Sequence, residues 1–184
     1  MASRNQNIEA FFKGVQQRVM NTAQRKLSDM LPAVMEVASE YIYAEHNFGD
    51  MTGNWINSFG LALYRDGRFI KVVTLAEVAN EGTPIQPVLQ SGDTFNKGQL
   101  RHDDRYQKKT FVIDGVRNRG SHGEYFANEK VVSVLRHTHT SAKGFSFRVV
   151  SVAEYHKDEA KRALLQISDF IESRGGNVWQ FNLG

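Results

Sequence analysis

The sequence predicts one mixed domain with a helix at each end and short strands between them. Three observations carry that expectation. Apolar residues recur every three or four positions over 6–48 and again over 154–173, the period of a helix lying on a core. Between them, Asp66-Gly67 joins two runs of β-favouring residues in the pattern of a tight hairpin, whose type I′ turn needs positive φ at both central residues. The chain has 184 residues, 41% of them hydrophobic and 23% charged. That is ordinary globular usage, and at about 150 residues per domain it fits a single unit, 1–184.

The first element spans 6–48. Ile8, Phe11, Phe12, Val15, Val19, Ala23, Leu27, Leu31, Val34, Ala38, Tyr41 and Ile42 form one stripe, with Gln16, Gln17, Asn21, Gln24 and Lys26 on the wet side. Pro32 lacks a backbone donor and crowds the turn before it. One bent helix or two nearly coaxial ones are expected, with Ser28 as the cap of a restart. The stripe keeps its phase across Pro32, so both halves are expected on the same core.

Segment 52–76 reads as a turn and a hairpin. Thr52 can cap a short turn carrying Trp55, Ile56 and Phe59, and the strands are 60–64 and 68–75. The stretch 77–123 is rich in Gly, Pro, Asn and Asp, with a short strand expected at 109–113, and reads as a long loop excursion. A helix over 124–136 follows, with Tyr125, Phe126, Glu129, Val132 and Leu135 on one face. The valines Val131, Val132 and Val134 equally suit a strand. A strand over 145–152 leads to the last helix, 154–173, whose apolar face is Ala160, Ala163, Leu164, Ile167, Phe170 and Ile171. Gly175-Gly176 stops it, leaving a tail over 174–184.

Composition excludes several functions. With no cysteine the chain has no disulfide scaffold, thiolate metal site or cysteine nucleophile. No run approaches the ~18 apolar residues of a membrane helix, and 1–10 lacks the apolar core of a signal peptide, so a soluble, intracellular protein without membrane contact is expected. The net charge is only +3 at a sequence pI of about 9.2. Its basic residues concentrate in 1–31 and in 100–120, against an acidic remainder.

No catalytic or cofactor-binding constellation is evident, and the chain is not expected to be an enzyme. His137-Thr138-His139 would put two imidazoles on one face of a strand, a weak metal signal beside the plainer reading of a polar turn closing a helix. Asp103-Asp104 stands among bases and reads as a solvated loop. The remaining candidates are surfaces. Arg101, Arg105, Lys108, Lys109, Arg117 and Arg119, interleaved with Tyr106 and Phe111, form a basic loop able to meet a neighbouring subunit or DNA phosphates. Trp179 and Phe181 in the tail suit docking on the domain or on a neighbour. Trp55 reads as core.

The order of elements resembles the tail-completion or neck proteins, the head–tail connector subunits, of tailed bacteriophages. A long N-terminal helix leads into Thr52-Gly53-Asn54-Trp55-Ile56-Asn57-Ser58, similar to the family's Thr-Gly-x-hydrophobic-x-x-Ser signature, and a hairpin follows. Lys143-Gly144-Phe145 opens a Val-rich strand, and 170–178 is similar to the family's Tyr-Val-Glu-x-x-Gly-type segment. In the family these last two sit close together, whereas here 154–168 lies between them.

The resemblance implies an α+β fold, with a long N-terminal helix and a C-terminal helix packed on a small, mostly antiparallel β-sheet. It also implies a structural virion protein without cofactor. Such a subunit forms a homo-oligomeric ring in the neck, contacts portal or adaptor and tail proteins, and lines the channel through which DNA leaves the capsid. Its expected location is the virion, and the host cytoplasm during assembly. The alternative reading is a nucleic-acid-binding module using the basic loop 100–120.

Overall fold

The strand Phe59–Arg65 (β1) lies at the centre of a three-stranded antiparallel sheet. The computed structural model describes residues 2–46, 55–79, 81, 94–95, 111–112, 124–139, 141–153 and 156–174. Helix α1 (Ala2–Glu45) comes first, then a 3-10 turn (Ile56–Ser58), β1, β2 (Arg68–Thr74) and the short helix α2 (Leu75–Ala79). A two-residue ladder of β3 (Thr94–Phe95) with β4 (Phe111–Val112) falls in the expected excursion, and β4 lies inside the strand read at 109–113. Helix α3 (Glu124–His137), β5 (Phe145–Ser151) and helix α4 (Lys157–Ser173) complete the order. The fold is α+β, with the sheet order β2-β1-β5.

Both faces of β1 are covered, which is why six consecutive residues, 59–64, are buried instead of every second one. Phe59, Leu61 and Leu63 pack with α1 and α4 in the main core. Ala62 and Tyr64 point the other way, into a second cluster with Val131 and Leu135 of α3 and Val150 of β5. This second contact is close: a Cβ built on Gly60 would collide with Val131 Cγ1.

The hairpin forms as its turn residues dictate, with φ 50° at Asp66 and 76° at Gly67. Its tip is tied to the turn before β5. The Asp66 amide donates to the Gly144 carbonyl at 2.8 Å, and the Gly144 amide donates back to Asp66 Oδ1 at 2.9 Å. The β1–β2 register shifts between Leu63 and Tyr64, leaving Ile70 as an extra residue in β2.

Four expectations are corrected. Strand β2 ends at Thr74, where Thr74-Leu75-Ala76-Glu77 has the Thr-x-x-Glu pattern of a capping box: the Glu77 carboxylate accepts the Thr74 amide at 2.7 Å and opens α2. Among the α3 residues whose side chains are described, 129–137, Val131 and Leu135 are buried and Val132 only half-buried, so the inner face is rotated from the one read through Val132. Helix α4 is described from Lys157, after His156 in a left-handed conformation (φ 49°), and not from 154. Its buried face is otherwise the one expected, with Ser168 added and Phe170 set beside Tyr41 of α1.

The fourth correction concerns α1. The helix is continuous through Pro32 for 44 residues, and Leu31, Met35, Ala38 and Ile42 are fully buried. The earlier half of the stripe does not reach that core: Ile8, Phe11, Phe12, Val15 and Val19 are all exposed. Length is the reason. Forty-four residues extend about 66 Å at 1.5 Å per residue, whereas a 30 Å helix already spans a small domain.

Candidate assembly surface

The exposed half of α1 is the largest apolar feature that the described residues leave in water. Phe11 and Phe12 are 63% and 64% exposed, Val19 61% and Ile8 51%. The two phenylalanine rings meet edge to face, 5.8 Å apart, and so shield only each other. Val15, 38% exposed, completes the line. At 100° per residue these five positions share one side of the helix, in a stripe about 100° wide.

The arm is anchored where it leaves the domain. Arg65, the last residue of β1, donates to Asn21 Oδ1 at 3.2 Å and to Gln24 Oε1 at 3.1 Å. Asn21 Oδ1 also accepts from Gln17 Nε2, one turn earlier. The wet-side amides of α1 thus grip the end of the central strand; Met20, Ala23, Gln24 and Leu27 are half-buried there, and full burial begins at Leu31. Among residues 8–26 the charged groups are Glu9, Lys13, Arg18, Arg25 and Lys26, all exposed.

At its other end α1 is locked to α4 through Trp55, which is fully buried as the sequence predicts. Its indole stacks on His46 (5.3 Å, 13° between planes) and meets Phe59 edge-on at 4.9 Å. The indole N–H donates to the His156 carbonyl at 3.1 Å, immediately before α4. An exposed cluster continues the junction. Arg162 donates to Glu45 at 2.8 Å and to Glu159 at 3.1 Å. Burial works to raise the Glu159 carboxyl, but its own amide, Arg162 and His156 outweigh it and hold it below the usual range.

Ser58 serves the same region from inside. Its hydroxyl donates to the Trp55 carbonyl and lies 2.7 Å from the Ser151 hydroxyl, which accepts the Ala153 amide. Trp55 and Ser58, the hydrophobic and serine positions of the signature, are therefore both buried structural groups. Thr52, Gly53 and Asn54 lie outside the described residues.

So do Arg101, Arg105, Lys108, Lys109, Arg117, Arg119, Trp179 and Phe181, together with Tyr106 and Asp103-Asp104. The histidine pair is not on a strand. His137 ends α3 with Nδ1 2.8 Å from the Ser133 carbonyl, and His139 lies beyond the helix. Among the described residues no three His, Cys, Asp or Glu side chains gather as a metal site, and no helix is long and apolar enough to cross a membrane.

Sequence reasoning took Ile8, Phe11, Phe12, Val15 and Val19 for core. The signal against that reading was in the same stripe: between Val19 and Leu27 it carries only Ala23. Two turns of helix there offer the domain almost nothing to bury. No family model, curated protein or solved structure matches the chain.

Proposed function

We propose that the chain is a structural assembly subunit, a neck or head–tail connector ring subunit that joins capsid portal or adaptor to the tail of a bacteriophage and lines the DNA exit channel. The observation that carries the reading is the α1 arm, whose aromatic and aliphatic stripe stays in water on the single chain. Monomers rarely leave a contiguous apolar patch of more than a few hundred Å² uncovered, and larger ones mark interaction surfaces.

The order of sequence features supports the more specific role. The helix, the Thr-Gly-x-Trp-x-x-Ser turn, the hairpin and the Val-rich strand follow one another as in neck proteins, and Trp55 ties the turn to both long helices. A ring needs two different contact patches per subunit and closes at a fixed number of copies. In this role the subunit resides in the virion neck, after assembly in the host cytoplasm.

Native mass spectrometry tests the reading. A ring subunit gives one discrete mass, a multiple of 20.9 kDa above the dimer, and that mass is unchanged when duplex DNA is left out. A 20.9 kDa monomer that binds duplex DNA would contradict it, particularly if log affinity fell by about 0.9 per contacted phosphate against log salt.

A further inference from the structure

The free stripe of α1 has the dimensions of half an interface. Taking 150–250 Å² for a large aromatic side chain, the five exposures leave on the order of 500 Å² of apolar surface in water. Two such faces brought together remove on the order of 1,000 Å², which is where specific protein–protein interfaces begin. The pattern also fits a helical partner. Ile8, Phe11, Phe12, Val15 and Val19 include an adjacent pair, Phe11 and Phe12, that makes the stripe wider than the strict two-position seam of a two-stranded coiled coil.

The arm also needs a partner for its own sake. Most helical stability in proteins comes from tertiary packing, which this half of α1 lacks, and the segment includes Gly14 and the β-branched Val15 and Val19, all weaker helix formers than alanine. A Cβ on Gly14 would meet nothing within 4 Å, so no packing among the described residues accounts for that glycine.

We propose that the stripe Ile8–Val19 packs against the stripes of neighbouring copies, its Phe11 and Val15 edge on the Phe12 and Val19 edge of the next copy, with the arms side by side and pointing the same way. The same direction follows from cyclic symmetry, so this inference rests on the reading of the chain as a ring subunit. Each arm then turns its stripe to its neighbours, and the domains stand together at the C-terminal ends of the arms.

The absence of cysteine makes the test direct, because one introduced cysteine is the only thiol in the chain. Ile8→Cys, Val19→Cys and, on the wet side, Gln17→Cys are prepared in the full-length protein. Each is oxidised, and masses are measured before and after. The stripe residues are exposed on the single chain, so these substitutions leave the fold intact; circular dichroism and the denaturation midpoint check this.

The result expected is a covalent dimer at both Ile8→Cys and Val19→Cys, none at Gln17→Cys, and a native mass above the dimer. Linkage only when Ile8→Cys and Val19→Cys proteins are mixed would mean antiparallel arms and would overturn the proposal. A large discrete assembly without stripe linkage would overturn it while leaving the ring reading standing. A monomer without linkage would overturn both.

Discussion

The Lys71 ammonium donates to the Ser28 carbonyl at 3.1 Å, and Ser28 stands four residues before Pro32. In an unbroken helix that carbonyl is the acceptor for the amide of residue 32, which proline lacks. A side chain from β2 therefore supplies a hydrogen bond that the helix cannot make for itself. This contact sits where α1 crosses the sheet, and it explains how a helix with an internal proline stays continuous.

Lys71→Met is expected to lower stability by about 1–2 kcal/mol, the scale of a partly buried hydrogen bond from a charged donor. In a Pro32→Ala background, where the helix regains its own amide, the same change should cost less. Chemical denaturation of the four proteins measures the coupling. Strictly additive effects would contradict this account of Lys71.

Trp55 joins both ends of the helical layer. Trp55→Ala should cost about 3–5 kcal/mol, as expected for emptying a fully buried aromatic site. Trp55→Phe retains a ring beside His46 and Phe59 but removes the donor to the His156 carbonyl, and should cost about 1 kcal/mol beyond the loss in ring size. An unchanged midpoint in Trp55→Ala would contradict the buried position.

Gly60 records the close approach of α3 to β1. Gly60→Ala places a methyl against Val131 Cγ1 and should destabilise by about 1–3 kcal/mol, the usual cost of overpacking. Val131→Ala in the same chain should recover part of that loss. A Gly60→Ala protein as stable as the native one would mean that α3 sits further from the sheet.

Tyr64 makes stability depend on alkaline pH. Its phenol is buried and donates to the Leu135 carbonyl; burial pushes its pKa up to about 12 although nearby Arg148 pulls it down. The neutral form is favoured in the fold, so the contribution is complete below pH 10 and is lost as pH rises towards 12. The loss is on the order of 2 kcal/mol. Denaturation midpoints at pH 9 and pH 11.5 should differ more for the native protein than for Tyr64→Phe. Equal differences would contradict the assignment.

The elements written in local chemistry were legible in the sequence. Asp66-Gly67 specified its turn, the period of 160–171 specified the buried face of α4, and the bulk of Trp55 specified core. The Thr-x-x-Glu pattern at Thr74–Glu77 is present in the sequence as well, but it follows directly on the β-favouring run of β2, which masks it. The inner face of α3 depended on which side of the helix met Gly60, and periodicity does not say that. The fate of the α1 stripe was not legible for a similar reason. Hydrophobic period shows that a face must be covered but not whether the cover lies in the same chain, and only the reach of the core beneath Leu31 and Ile42 separates the two halves.

Amide hydrogen exchange at several protein concentrations tests most directly whether the two halves of α1 do different work. The segment 31–42 should be protected at every concentration, because its cover comes from its own chain. The segment 8–19 should exchange fast in dilute protein and gain protection as concentration rises. Protection of 8–19 equal to that of 31–42, and independent of concentration, would contradict the account.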